Sequence, residues 1–162
     1  MPISIKDSET LIVYGHNPET DQLIDYFMMD INGNYISKID NPYIEYINRN
    51  GVVKKDAHSL DYNSTLNQLV FSSRDSTVQG RKIAVTDFTG NYYKEYTKGD
   101  YIDDHPKWGP DSTILFDRRI INDNSTGAET KIMEINTKTG EVTEFLNPNV
   151  ISGAIALRYP EF

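Results

Sequence analysis

The chain alternates short apolar runs with polar, turn-forming punctuation and almost never holds a helical period. Leu11–Tyr14, Leu69–Phe71 and Ile114–Phe116 are continuous apolar runs, the pattern of strands buried on both faces. After each comes a second apolar run, a Gly-containing turn and a more polar run. "FMMDINGNYISKI" (27–39) lies without gaps over "AVTDFTGNYYKEY" (84–96), matching Asp30 with Asp87, Gly33 with Gly90, Asn34 with Asn91 and Tyr35 with Tyr92. "IMEINTKTGEVTEF" (132–145) is a looser third copy, with Gly140 at the turn and three extra residues before it. Asn, Asp and Gly tolerate the positive φ of tight hairpin turns, so each copy predicts a hairpin. "NPETDQ" (17–22) could open a helical turn, but no 3.6-residue apolar period follows it. The pattern predicts an all-β protein.

Two of the apolar runs are preceded by a further short piece, "DAHSLDY" (56–62) and "DDHPKWG" (103–109). The full unit is then a first strand, a turn, a buried second strand, a variable loop and a hairpin. Four strands in about 45 residues is the period of a β-propeller blade. The chain reads as one propeller unit over 1–162, with blade one at 3–40, blade two at 56–97 and blade three at 103–147.

"HPKWGPDSTILF", followed after a variable loop by "KIMEINTKTGEVTEFL", resembles the PD40 or TolB-type propeller repeat, a WD40-like repeat in shape. That repeat runs Pro-x-aromatic, Ser-Pro-Asp-Gly, an apolar strand and an apolar-Asp-x-x-Gly hairpin. Pro106, Trp108, Pro110 and Asp111 match it, while Gly109 and Ser112 stand where Ser and Gly are usual. In the second copy Ser59, Leu60 and "DYNSTLN" replace the Pro, the aromatic and the short turn. The resemblance implies a rigid disc whose loops bind a protein or peptide partner, without catalysis. It also leaves open an accessory or catalytic propeller, of the peptidase-gating or metal-dependent lyase type. Trp108 is expected to be a structural wedge beside the channel.

By this template blade one has second, third and fourth strands but no first. "ALRYPEF" (156–162) looks like a first strand with no blade after it, Tyr159, Pro160 and Phe162 matching His105, Pro106 and Trp108. Three blades are fewer than the 4–8 that ring a channel. The expectation is therefore a half-propeller: a homodimer closing a six-bladed ring by strand exchange. Tyr159, Pro160 and Phe162 would pair with Leu11, Ile12, Val13 and Tyr14 of a second copy, twice by symmetry. The alternative is a fragment of one larger propeller.

Charge and composition narrow the partners. Lys and Arg number 16 against 24 acids, a formal charge of −8 with no basic block, which argues against nucleic acid. No segment approaches the roughly 20 apolar residues of a membrane span, so no membrane insertion is expected. The absence of cysteine excludes disulfides, thiolate metal sites and Cys nucleophiles. The first residues lack the features of a signal peptide, and the compartment stays open.

Candidate chemistry gathers at the first strands. Asp56 with His58, and Asp103 or Asp104 with His105, form acid-x-His pairs that a propeller would bring to its channel mouth. Duplication in a dimer would offer a metal or phosphate possibility, but such residues more often hydrogen-bond neighbouring backbone. They are assigned as polar channel-mouth residues, with no catalytic, cofactor or metal site expected. "NDNSTGAETKIM" (122–133) only faintly resembles a calcium loop, with Met133 where a bidentate Glu belongs. His16 is expected in a loop. The 11 tyrosines suit both strands and interfaces.

Overall fold

The apolar runs become central strands, each paired on both sides by its neighbours in sequence. The structure is a computed structural model and describes residues 2–16, 24–44, 56–74, 80–120 and 130–145. The first sheet holds β1 (Pro2–Ile5), β2 (Thr10–His16), β3 (Ile24–Asp30) and β4 (Tyr35–Lys38). The second holds β5 (Asp56–Asn63), β6 (Gln68–Arg74), β7 (Lys82–Asp87) and β8 (Tyr93–Glu95). The third holds β9 (Ile102–Trp108), β10 (Thr113–Arg119), β11 (Thr130–Asn136) and β12 (Val142–Glu144). Among the described residues every strand ladder is antiparallel and joins consecutive strands, and an isolated parallel bridge links Arg81 to Ile102. A 3-10 turn at Pro110–Ser112 is the one helical element among the described residues, and no described helix is long and apolar enough to cross a membrane.

The sheets stack face to face, with β1 beside β5 and β5 beside β9. Ile12 and Tyr26 of the first sheet meet Leu60, Leu69, Phe71 and Ala84 of the second. Val70, Ile83 and Val85 of the second meet Ile114, Phe116, Met133 and Ile135 of the third. Successive strand residues point to opposite faces, so Val70 and Phe71 enter different cores. That is why β6 has no polar alternation: both of its faces are covered. Burying side chains such as Phe71 or Ile114 contributes about 1.5–3 kcal/mol each, which makes the middle sheet the anchor of the stack.

The predicted hairpins form, and one device closes all three. Asp30 Oδ1 accepts the backbone N–H groups of Asn32 and Asn34 at 2.9 and 2.8 Å. Asp87 Oδ1 accepts those of Thr89 and Asn91, both at 3.0 Å. Asn136 Oδ1 accepts those of Lys138 and Thr139 at 3.0 and 3.2 Å. Gly33, Gly90 and Gly140 take φ of 86°, 76° and 78°, which L side chains disfavour. Register corrects one detail: Asp30, Asp87 and Asn136 are equivalent, pairing with Thr10, Gln68 and Thr113. Asn136 and Gly140 are one residue further apart than Asp30 and Gly33, so the third turn is longer by one residue, not three.

Blade one does have a first strand of its own. β1 pairs Pro2 with Val13, Ser4 with Ile12 and Ile5 with Leu11. The turn that permits this is tight: Lys6 N–H donates to the Thr10 carbonyl at 2.9 Å, and Glu9 N–H to Asp7 Oδ1 at 3.0 Å. The edge of Leu11–Val13 expected to receive Tyr159, Pro160 and Phe162 is thus occupied by the chain's own start. Residues 157–162, the 17–22 stretch and most of the 122–133 loop lie outside the described residues. His16 is the last residue of β2, paired with Ile24, and not a loop residue.

Candidate functional site

The acid-x-His pairs look alike in sequence, but their histidines fall one register position apart, and each first strand carries a bulge at the same place. In β5 the register shifts between His58 and Asp61; opposite β9 it shifts between Leu115 and Asp117. Ser59 and His105 sit at these bulges with φ of 52° and 50°, so Ser59 is the counterpart of His105. His58, opposite Ser72, matches Asp104, opposite Asp117. The two histidines therefore occupy different positions in their blades. Asp56 pairs with Arg74 in the ladder; the side chains of Asp56 and His58 are outside what is described. Because the two bulges are equivalent they leave the blades in phase, 46 residues apart from His58 and Asp104 through Tyr62 and Trp108; lining up the histidines slips that register by one.

The third blade's acids are held in separate arrangements. Asp103 is 1% exposed and takes a two-pronged bond from Arg118, Nε at 2.7 Å and Nη2 at 2.8 Å. The guanidinium carbon lies 4.3 Å from the Tyr101 ring centroid and 5.5 Å from that of Phe116. The hydrogen bond to Asp103 holds the Arg118 pKa above its usual value, against the opposing pull of burial. Ser72 Oγ donates to the Asp103 carbonyl at 2.8 Å, tying this corner to the second sheet. His105 Nδ1 lies 3.1 Å from Asp117 Oδ1, so its carboxylate neighbour is on β10 and not two residues upstream. Asp104 Oδ1 accepts the His105 backbone N–H at 2.9 Å, and its Oδ2 is 3.9 Å from Arg81 Nε. Among the described residues, no three His, Cys, Asp or Glu side chains are arranged to hold a metal ion.

Register also locates a residue that motif matching missed. Leu60-x-Tyr62 occupies the place of Pro106-x-Trp108, since Tyr62 pairs with Leu69 as Trp108 pairs with Ile114. The signal was present as a spacing of two between an apolar residue and an aromatic. Trp108 packs against the second core, while its Nε1–H is buried with no acceptor in reach among the described residues. Tyr62 packs against the first core and stacks edge-on with Phe88 at 5.0 Å.

The three Asx-closed turns sit at one end of their sheets, beside the β1–β2, β5–β6 and β9–β10 turns. Neighbouring blades touch there: Lys6 Nζ lies 5.6 Å from the Phe88 ring centroid, and Tyr96 Oη donates to the Thr137 carbonyl at 3.3 Å. Tyr35 is 63% exposed and Tyr92 is 37% exposed. Asp30 has a lowered pKa because the side chain and backbone of Asn34 bond its carboxylate. For Asp87, burial pushes the pKa up, but the bonds from Thr89, Asn91 and Gly90 together bring it below the usual value. Both turns hold their acids ionised.

Three stacked, four-stranded up-and-down sheets with their first strands side by side are the arrangement of a partial β-propeller. A solved structure assigned as TolB from Agrobacterium tumefaciens is similar to this chain, with a TM-score of 0.59 at 17% identity. The likeness covers 86% of this chain and 46% of that one, so the chain spans less than half of the structure it matches. At that identity the shared property is the fold. No family model matches the chain, and no curated protein does.

Proposed function

We propose that this chain is a non-catalytic protein-interaction module on a TolB-like propeller scaffold, with the turn end of the sheets as its contact surface. The observation that carries the reading is the preorganisation of that end. Asp30, Asp87 and Asn136 each fix two backbone N–H groups of their turn. A surface already ordered loses little conformational entropy on binding, and exposed Tyr92 offers a large contact with few rotamers to freeze. Selection of a displayed peptide library on the immobilised chain tests it. Enriched peptides that bind wild type and lose about tenfold in affinity to Tyr92→Ala, a cost near 1.4 kcal/mol, are the expected result. A library with no enrichment, or peptides indifferent to turn-end substitutions, overturns it.

A second reading is favoured by the 46% coverage of the TolB-assigned chain: a portion of a larger accessory or catalytic propeller, of the peptidase-gating or metal-dependent lyase type. Stoichiometric metal in the purified protein would favour its lyase form. Self-association by strand exchange would put Tyr159–Phe162 of a second copy on Leu11–Tyr14, and would require β1 to leave that edge. Contact between sheet faces demands no such displacement.

A further inference from the structure

The stack has two unlike ends. Ile12, Tyr26 and Met28 turn toward the second sheet, so their strand neighbours Leu11, Val13, Phe27 and Met29 turn away from it. Ladder pairing sets Ile5 beside Leu11, and Tyr35 beside Met29. Phe27 and Tyr35 meet edge to face at 5.8 Å, and Ile5 is 70% exposed. Six apolar side chains thus share one outward face.

Register shows what such a face does elsewhere in the molecule. The pairs Leu11–Met29 and Val13–Phe27 correspond to Ile114–Ile135 and Phe116–Met133 in the third sheet. Those four residues are buried against the second sheet. Leu69 and Phe71, their counterparts in the second sheet, are buried against the first. In both blades with a described predecessor, these positions are a sheet-to-sheet joint. At the other end, Leu115 and Ile132 hold the places of Val70 and Ile83, which are fully buried against the third sheet. Leu115 and Ile132 are only half-buried. Each end of the stack carries one half of the same joint.

We infer that the outward face of the first sheet receives the outward face of the third sheet of a second copy, closing a six-sheet ring from two chains. The inference rests on the propeller reading of the fold and makes the partner a copy of this chain. The joint is head to tail, and two copies form it twice, as a closed ring requires. Six sheets fall in the range of about 4–8 blades that close around an axis, and three do not. Glu134 stands where Val85 and Met28 stand in the other sheets, so the joint between copies is more polar than those within one. Association should be reversible with dilution.

Sedimentation of the full chain over a wide concentration range tests this, with Phe27→Lys at one end and Leu115→Lys at the other. Wild type should dimerise reversibly, and each variant alone should weaken the dimer more than about tenfold, since burying one unpaired charge costs more than the 1.4 kcal/mol that tenfold represents. Mixing the two variants should recover a one-to-one pair, weaker than wild type but tighter than either variant alone, because one of its two joints then has both faces unaltered while the other carries both lysines. Such restoration also shows that both variants are folded; should Phe27→Lys unfold, Met29→Lys takes its place in the mixture. A wild-type monomer at every concentration overturns the inference, as does a dimer indifferent to both substitutions, folded variants that fail to pair on mixing, or a dimer abolished only by removing 157–162. A monomer that still enriches peptides overturns the ring and leaves the interaction module standing.

Discussion

Asp61 Oδ2, in the second sheet, accepts the backbone N–H of Trp108, in the third, at 3.0 Å. Lys107 Nζ approaches the other carboxylate oxygen at 3.4 Å, so one side chain spans the gap between two blades. Asp61→Ala should cost about 1–3 kcal/mol, because it leaves a half-buried donor unpaired. Asp61→Asn keeps an acceptor and should cost less. Urea unfolding of the two variants checks the order; equal losses would mean that the bridge contributes little.

Asp103 and Arg118 should behave as a unit. Asp103→Ala leaves a largely buried guanidinium against two rings and should cost about 3–5 kcal/mol, whereas a pair of apolar replacements at both positions should recover much of that. A double-mutant cycle by thermal or chemical unfolding measures the coupling. Additive effects would contradict the bidentate geometry.

Acid should loosen the turn end. The folded pKa values of Asp30 and Asp87 lie below the ordinary value, near about 3.9 in an unfolded chain. Their contribution is therefore complete above that value and fades as pH falls through the lowered folded pKa, because the unfolded chain takes up protons first. Asp30→Asn with Asp87→Asn keeps the turn acceptors but removes the titration. Its stability should fall less steeply than wild type between about pH 5 and pH 2. Hydrogen exchange at Asn32, Asn34, Thr89 and Asn91 reads the same change locally.

Trp108 should tolerate Phe and not Ala. Trp108→Ala removes a side chain packed on the second core and should cost about 3–5 kcal/mol. Trp108→Phe deletes the buried indole N–H, which has no acceptor among the described residues, and should stay within about 1.5 kcal/mol of wild type. An Ala variant that melts like wild type would move Trp108 from packing to ligand contact.

The hairpins were legible because one chemistry marks all three: an Asx residue, a Gly shortly after it and apolar flanks. Leu69–Phe71 and Ile114–Phe116 were legible because strands covered on both faces need unbroken apolar runs. β1 was not legible, since "PISI" is too short to show a period and its place depends on the turn at Lys6–Glu9. The candidate site fared worst for a geometric reason. His58 and His105 are one register position apart, because Ser59 and not His58 shares the bulge position of His105, and that shared bulge is a backbone event with no residue signature. The Arg118 partner of Asp103 lies fifteen residues away, beyond the reach of a local motif.

Val70 and Phe71 are adjacent in β6 and face opposite cores, so neither core can melt while the other keeps its native wall. The middle sheet acts as a party wall, and heat should reach both rooms together. Tyr26, bonded through its hydroxyl to the Ala57 carbonyl at 3.1 Å, reports on one side. Trp108, the only tryptophan, reports on the other. Their signals should follow one transition with coincident midpoints, the mark of a cooperative unit, although each belongs to a different pair of blades.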